Sequence, residues 1–166
     1  MNIKTILFPR QLEADGVAEK IRAALDARKV RLYSGGTLNV PVVAFNDALI
    51  SALRKARMQS RIRVGLDEIL EKLAAEKKGL DELREKTATV QGERMSRLLL
   101  FSNDGAERFY GNIEKTLIRH DPRVLGCMIE ADENALGRML IGKTGKVKVI
   151  LIDHKDAVSD ILRSMA

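Results

Sequence analysis

The chain has 166 residues, with 29 Lys and Arg against 23 Asp and Glu, a formal net charge of +6 and 45% hydrophobic residues. That length fits one domain, or one domain with an extension, and the composition excludes bulk disorder. The longest apolar runs, residues 40–45 and 147–152, fall far short of the ~20 residues that span a bilayer, so no membrane association is expected. A lone Cys127 excludes an internal disulfide and, with only two histidines, the usual zinc constellations, so no metal or other cofactor is expected. The opening Met1-Asn2-Ile3-Lys4 carries no signal-peptide pattern, which together with the single cysteine points to the cytoplasm.

In chain order, residues 3–8 form an apolar run ended by Pro9 and are expected to be a strand. Val17, Ile21, Ala24 and Leu25 predict a helix over 14–27, followed by strands at 30–33 and 38–45. Pro41 directs the latter to a sheet edge or a bulge, because proline cannot donate to the ladder. Asn46 or Asp47 is placed to cap a helix reaching about Met58, with Leu49, Ile50, Leu53 and Ala56 inward. Residues 61–64 alternate charged and apolar side chains as a brief strand, and Gly65 opens a helix with Leu66, Ile69, Leu70 and Leu73 on one stripe. Residues 74–95 are highly charged and read as an insertion, with Gly79 breaking the helix, Leu80 and Leu83 prolonging its stripe, and a loop over 87–92. A strand at 97–101, a helix over 106–120 stopped before Pro122, a strand at 124–129 and a helix over 132–140 follow. A strand at 147–152 and a final helix capped by Asp153 complete the chain. The alternation predicts a sheet covered by helices on both faces.

The string Gly137-Arg138-Met139-Leu140-Ile141-Gly142-Lys143-Thr144 fits the phosphate-loop pattern G-x-x-x-x-G-K-[ST]. That loop needs a strand before it and a helix after it, so that helix amides face the phosphates. Here the predicted order is the reverse, which favours a helix ending near Ile141 with Gly142 as its C-cap. Two acid-free basic clusters carry more information: Arg54, Lys55, Arg57, Arg61 and Arg63, then Arg138, Lys143, Lys146 and Lys148. Together they have the makings of an electrostatic footprint for nucleic-acid phosphates. Cys127, His120, His154, Asp153 and Asp156 all have structural explanations, and no acid–base pair suggests catalysis.

Residues 49–73 and 96–165 resemble the kink-turn RNA-binding ribosomal-protein family of archaea and bacteria. That family's fold is shared with the C-terminal domain of peptide-chain release factors. The resemblance is carried, in order, by Ala52-Leu53-Arg54-Lys55-Ala56-Arg57, Val64-Gly65-Leu66-Asp67-Glu68-Ile69-Leu70, Leu98-Leu99-Leu100-Phe101-Ser102-Asn103-Asp104, Ala135-Leu136-Gly137-Arg138 and Ala157-Val158-Ser159-Asp160-Ile161-Leu162. It implies an α-β-α sandwich and a non-catalytic role on structured RNA, with Gly65, Asp67 and Glu68 at the family's RNA-facing helix start. The family's lysine one turn on is Glu71 here, with Lys72 about 100° around the helix. Its apolar second contact loop is here Glu130-Ala131-Asp132-Glu133-Asn134.

The expected fold is therefore α/β, a three-layer α-β-α sandwich over residues 47–166 with a helical insertion at 74–95, preceded by a β-α-β-β unit over 1–46. The leading expectation is a non-enzymatic RNA-binding protein of translation or the ribosome, with a contact set of Arg54, Lys55, Arg57, Arg61, Arg63, Gly65, Asp67, Glu68, Arg138, Lys143 and Lys146. Its rivals are a protein-interaction module that pairs or self-associates through Leu80 and Leu83 of the insertion, and a nucleotide-binding enzyme using Lys143 and Thr144.

Overall fold

The computed structural model describes residues 2–87 and 94–166. The helices are α1 (Arg10–Ala14), α2 (Ala18–Asp26), α3 (Asp47–Met58), α4 (Leu66–Thr87), α5 (Glu107–Arg119), α6 (Glu133–Ile141) and α7 (Lys155–Ser164). The strands are β1 (Lys29–Arg31), β2 (Asn39–Val43), β3 (Ile62–Val64), β4 (Arg97–Phe101), β5 (Val124–Ile129) and β6 (Val149–Ile152). They form one mixed sheet in the order β1-β2-β5-β4-β6-β3. β2, β5 and β4 are parallel, with Leu98 opposite Leu125 and Val42 opposite Met128. β6 runs against both β4 and β3, so β3 points the same way as β4.

Alternation along the strands builds a three-layer α/β fold. Leu98, Leu100, Leu125, Cys127, Ile150 and Ile152 face one core, shared with Leu49 and Leu53 of α3, Leu136 of α6 and Ile161 of α7. Leu99, Phe101, Val124, Val149 and Leu151 face the other, against Ile69 and Leu73 of α4 and Ile113 and Leu117 of α5. β5 is buried along its whole length, as expected of a strand covered on both faces. Gly126 sits in it because a Cβ there would lie 2.6 Å from Leu117 Cδ1. Burial pushes the Cys127 thiol up to about 12, so it is an inert core side chain. The sheet continues through β2 and β1, and Ile3, Phe8, Leu12, Ile21 and Leu25 belong to the same core as α3, α6 and α7.

Several sequence expectations change. Residues 3–8 are a turn plus a single bridge from Leu7 to Arg94, not a strand. Its bridge lies just before β4, which already has a neighbour on each side, and the segment tucks Ile3, Ile6 and Phe8 into the core. The helix expected over 14–27 is split by Gly16 at φ +74°, whose conformation lets the Val17 N–H bond back to Leu12 C=O. Pro41 lies in an interior strand, not at an edge. Val42 N–H is directed to β1, donating to Arg28 C=O, so the proline nitrogen faces β5, where pairing begins only at Val42. The last strand starts at Val149, and His154, not Asp153, caps α7: its Nδ1 accepts the Asp156 N–H at 3.2 Å.

The largest change is in α4, which runs unbroken through Gly79. One interior glycine costs about 1 kcal/mol relative to alanine, and anchors on either side outweigh that. Ile69 and Leu73 are fully buried before it, and Glu76 is clamped by two arginines. At ~1.5 Å per residue the helix is ~33 Å long, whereas a five-residue strand spans ~17 Å, so its second half projects beyond the sheet. The loop expected over 87–92 lies, apart from Thr87, outside the described residues. No described helix is long and apolar enough to cross a membrane.

Candidate functional site

The first basic cluster lies on α3 and the edge strand β3. α3 begins with Asn46, whose side chain accepts the Leu49 N–H, and turns Leu49, Leu53 and Ala56 inward. Arg54, Lys55 and Arg57 are consequently exposed. Lys55 reaches Asp160 at 3.4 Å, whereas Arg54, Arg57 and the half-buried Arg61 make no ion pair among the described residues. Arg63 is differently placed: its Nε bonds Asp153 Oδ2 at 3.0 Å and its Nη1 reaches Glu68 at 3.4 Å. Lys72 also approaches Asp153, at 3.9 Å. The Asp153 hydrogen bond holds the Arg63 guanidinium above its ordinary range, so the residue is committed to joining β3, α4 and β6.

Gly65 opens α4 at φ +95° with open space around it, and Asp67 and Glu68 follow in the first turn. Glu68 is engaged by Arg63, and Glu71 is exposed. Arg138 is exposed on α6, as are Lys143 and Lys146 in the return loop. Gly137 and Gly145 let that loop lie on the helix: a Cβ on Gly137 would fall 2.0 Å from Gly145 O. The phosphate-loop string therefore runs from within a helix to a loop and a strand, with Gly142 at φ +108° ending α6. The loop enters β6 at the end of the sheet where β4 and β5 finish, whereas the α3–β3 junction lies where β4 begins. The two clusters thus open at opposite ends of the sheet.

At the carboxyl ends of β4 and β5 the chain leaves to opposite faces, into α5 and α6, the usual crevice for a ligand in an open α/β sheet. Here the crevice is bridged. Asp104 Oδ1 accepts the Glu133 N–H at 3.1 Å, and Asn103 N–H donates to Ala131 C=O at 3.0 Å. Asp132 caps α6 by accepting the Ala135 N–H at 2.7 Å, and Glu130 pairs with Arg28. The Tyr110 hydroxyl donates to Ser102 C=O at 2.8 Å and accepts the Gly105 N–H at 3.0 Å.

The other end of the same strands is open. Where β4 and β5 begin, a cavity of about 380 Å³ lies between the projecting half of α4, the end of α5 and the chain near Arg10. Among the described residues, six cationic side chains line it, Arg10, Lys77, Arg84, Arg94, Arg119 and Arg123, against the carboxylates of Asp81 and Asp121. Just inside, Glu76 takes a fork from Arg97, with Nη2 to Oε2 at 2.7 Å and Nε to Oε1 at 3.2 Å. Arg123 meets the same carboxylate at 3.2 Å. Burial alone would raise the Glu76 carboxyl, but the two guanidiniums hold it below its ordinary value. Arg123 keeps one nitrogen, Nη1, shut from solvent and unpartnered among the described residues, and burial lowers this guanidinium. His120 is buried in the same wall, and burial plus the charges of Arg119, Lys77 and Arg123 lower it too.

Sequence reasoning missed this cavity and explained His120 as a helix end. One signal was present: Lys77, Leu80 and Arg84 follow at i, i+3 and i+7 on a single face, provided the helix is not broken at Gly79. Leu80, which the interaction-module reading turns toward a partner, lines the cavity. A further buried acid, Glu114, is structural: it accepts the N–H groups of Thr37 and Leu38 and the Tyr33 hydroxyl. Burial would raise it, but those three donors hold it below its ordinary range. No group of three or more His, Cys, Asp and Glu side chains among the described residues is arranged to hold a metal ion. No protein-family model and no curated protein matches the chain.

Proposed function

We propose that this chain is a non-catalytic RNA-binding protein of the translation machinery. The observation that carries the reading is the charge at one end of the sheet. Arg57 and Arg61, at the α3–β3 junction, and the cationic cavity both lie where β3, β4 and β5 begin. Backbone phosphates are the polyanion that such a spread of arginines suits, and each contact would add to the salt dependence of binding. Arg54, Arg57 and Arg61 are the bound strand's contacts on the helix layer; Arg63 and Glu68 only brace the Gly65 turn, and Asp67 lies beside them. Arg138, Lys143 and Lys146 form a separate patch of lesser weight. The link to translation rests on the resemblance to kink-turn RNA-binding ribosomal proteins.

The test is fluorescence anisotropy with a kink-turn RNA and an unbent duplex at two salt concentrations, on the wild type and on Arg57→Glu with Arg61→Glu. Salt-sensitive binding that the double reversal weakens by at least about tenfold is expected, since each phosphate contact adds to the salt slope. Preference for the bent RNA would tie the chain to the family's role. Binding unaffected by the reversal, or none at low salt, would refute the reading.

A further inference from the structure

We propose that the cavity where β4 and β5 begin is a binding site for a phosphate monoester, taking the terminal phosphate of an RNA strand. The inference rests on the reading above and gives one of its contacts a chemical identity.

Three observations lead there. First, the cavity's cations are graded in depth: Arg10 and Arg119 are exposed at its mouth, while Arg123 is half-buried where β5 begins. An anion entering would pass from mobile, hydrated charges to a guanidinium already fixed by Glu76. Second, that guanidinium is oriented before any ligand arrives: its Nη2 meets Glu76 at 3.2 Å, and Arg97 holds the same carboxylate at 2.7 Å. A planar guanidinium offers paired donors matched to phosphate oxygens, and the dianion of a monoester presents the most charge to them. Third, at about 380 Å³ the space admits a phosphate and the sugar attached to it, and no Phe or Tyr among the described residues lines it to stack a base. Recognition therefore falls on the phosphate, and a chain end supplies one that can enter.

Among the described residues the cations of the lining outnumber its two carboxylates, Asp81 and Asp121. Lys77 pairs with Asp81 at 3.6 Å, leaving Arg10 and Arg119 without an ion pair among the described residues. The His120 imidazole lies in the same wall as a further hydrogen-bonding group.

The same phosphate chemistry is offered by a free phosphorylated small molecule, and the experiment separates the two sources. A short single-stranded RNA, labelled at its 3′ end and carrying either a 5′-phosphate or a 5′-hydroxyl, is titrated by anisotropy. Pyrophosphate and a mononucleotide are titrated by calorimetry. The expected result is binding of the 5′-phosphate form tighter by about tenfold, the scale of one good charge-assisted contact. That preference should vanish in Arg123→Gln and in Arg119→Glu, the second being an exposed residue whose change leaves the core alone. Pyrophosphate or mononucleotide binding lost in the same variants, without RNA binding, would keep the phosphate site and refute the RNA reading. Equal affinity for both RNAs with no heat from pyrophosphate would overturn the site while leaving the RNA reading intact. No binding of any probe would overturn both.

Discussion

β4 and β5 end in two different environments. At their carboxyl ends, Asp104, Asn103, Asp132 and Tyr110 each bond a backbone group of the neighbouring loops. The Ser102 hydroxyl alone stays buried without a partner there among the described residues. At their amino ends Glu76 holds two arginines, burial and nearby cations lower the His120 imidazole, and six cations among the described residues line a cavity. A buried hydroxyl and a buried guanidinium differ in cost, and Glu76 supplies the larger compensation that the charge of Arg123 needs. The contrast teaches where to look in this fold: at one end the loops bond one another, and at the other cationic side chains line a cavity.

Removing Glu76 should break the comparison most severely. In Glu76→Ala, Arg97 and Arg123 lose their shared carboxylate, and stability measured by urea unfolding should fall by about 3 kcal/mol. Phosphate in the buffer should restore part of it, since a ligand of the folded state stabilises it. Tyr110→Phe tests the closed end: it strands Ser102 C=O and the Gly105 N–H, and should cost about 1–2 kcal/mol in the same assay without changing RNA affinity.

Acid should sharpen the contrast further. The His120 imidazole is lowered in the folded state, so below its ordinary value of about 6.5 the unfolded chain binds the extra proton. Stability should therefore decline as pH falls through that value, and His120→Gln should flatten this first step. Glu76 and Glu114 are lowered carboxylates, so their contribution is present above about pH 4.3 and is lost as pH falls through their folded values. Urea midpoints across this pH range should thus fall in two steps. Smallest of all, Arg57→Ser with Arg61→Ser should shift stability by no more than about 0.5 kcal/mol. Neither side chain makes an ion pair among the described residues, so their whole effect should appear in RNA anisotropy.

The sheet was legible wherever a continuous apolar run met turn chemistry, as in residues 97–101 and 124–129, which are β4 and most nearly all-buried β5. The expected cap of α3, Asn46 or Asp47, is Asn46 for the same local reason, whereas Asp132, the cap of α6, reads from sequence as the first residue of its helix. Residues 3–8 misled because a run's hydrophobicity reports burial, not whether a strand edge is free to pair. Gly79 misled because local propensity is about 1 kcal/mol, less than the anchors at Leu73 and Glu76 supply. Of the expected contact residues, Arg54 and Arg57 are exposed cations and Arg61 a half-buried one, while Arg63 is spent on Glu68 and Asp153. The cavity was hidden because its lining comes from Arg10, α4, Arg94 and the end of α5, segments that no local window joins.

Cys127 gives the protein a clock of its own. Its thiol lies at the centre of β5, fully enclosed and held protonated to about pH 12. A thiol-labelling reagent can reach it only when the sheet parts, so the labelling rate counts openings of the core and leaves events at either end of the strands unrecorded. A ligand seated against Arg123, one residue before β5 begins, would slow that clock in proportion to how much of the sheet it holds shut.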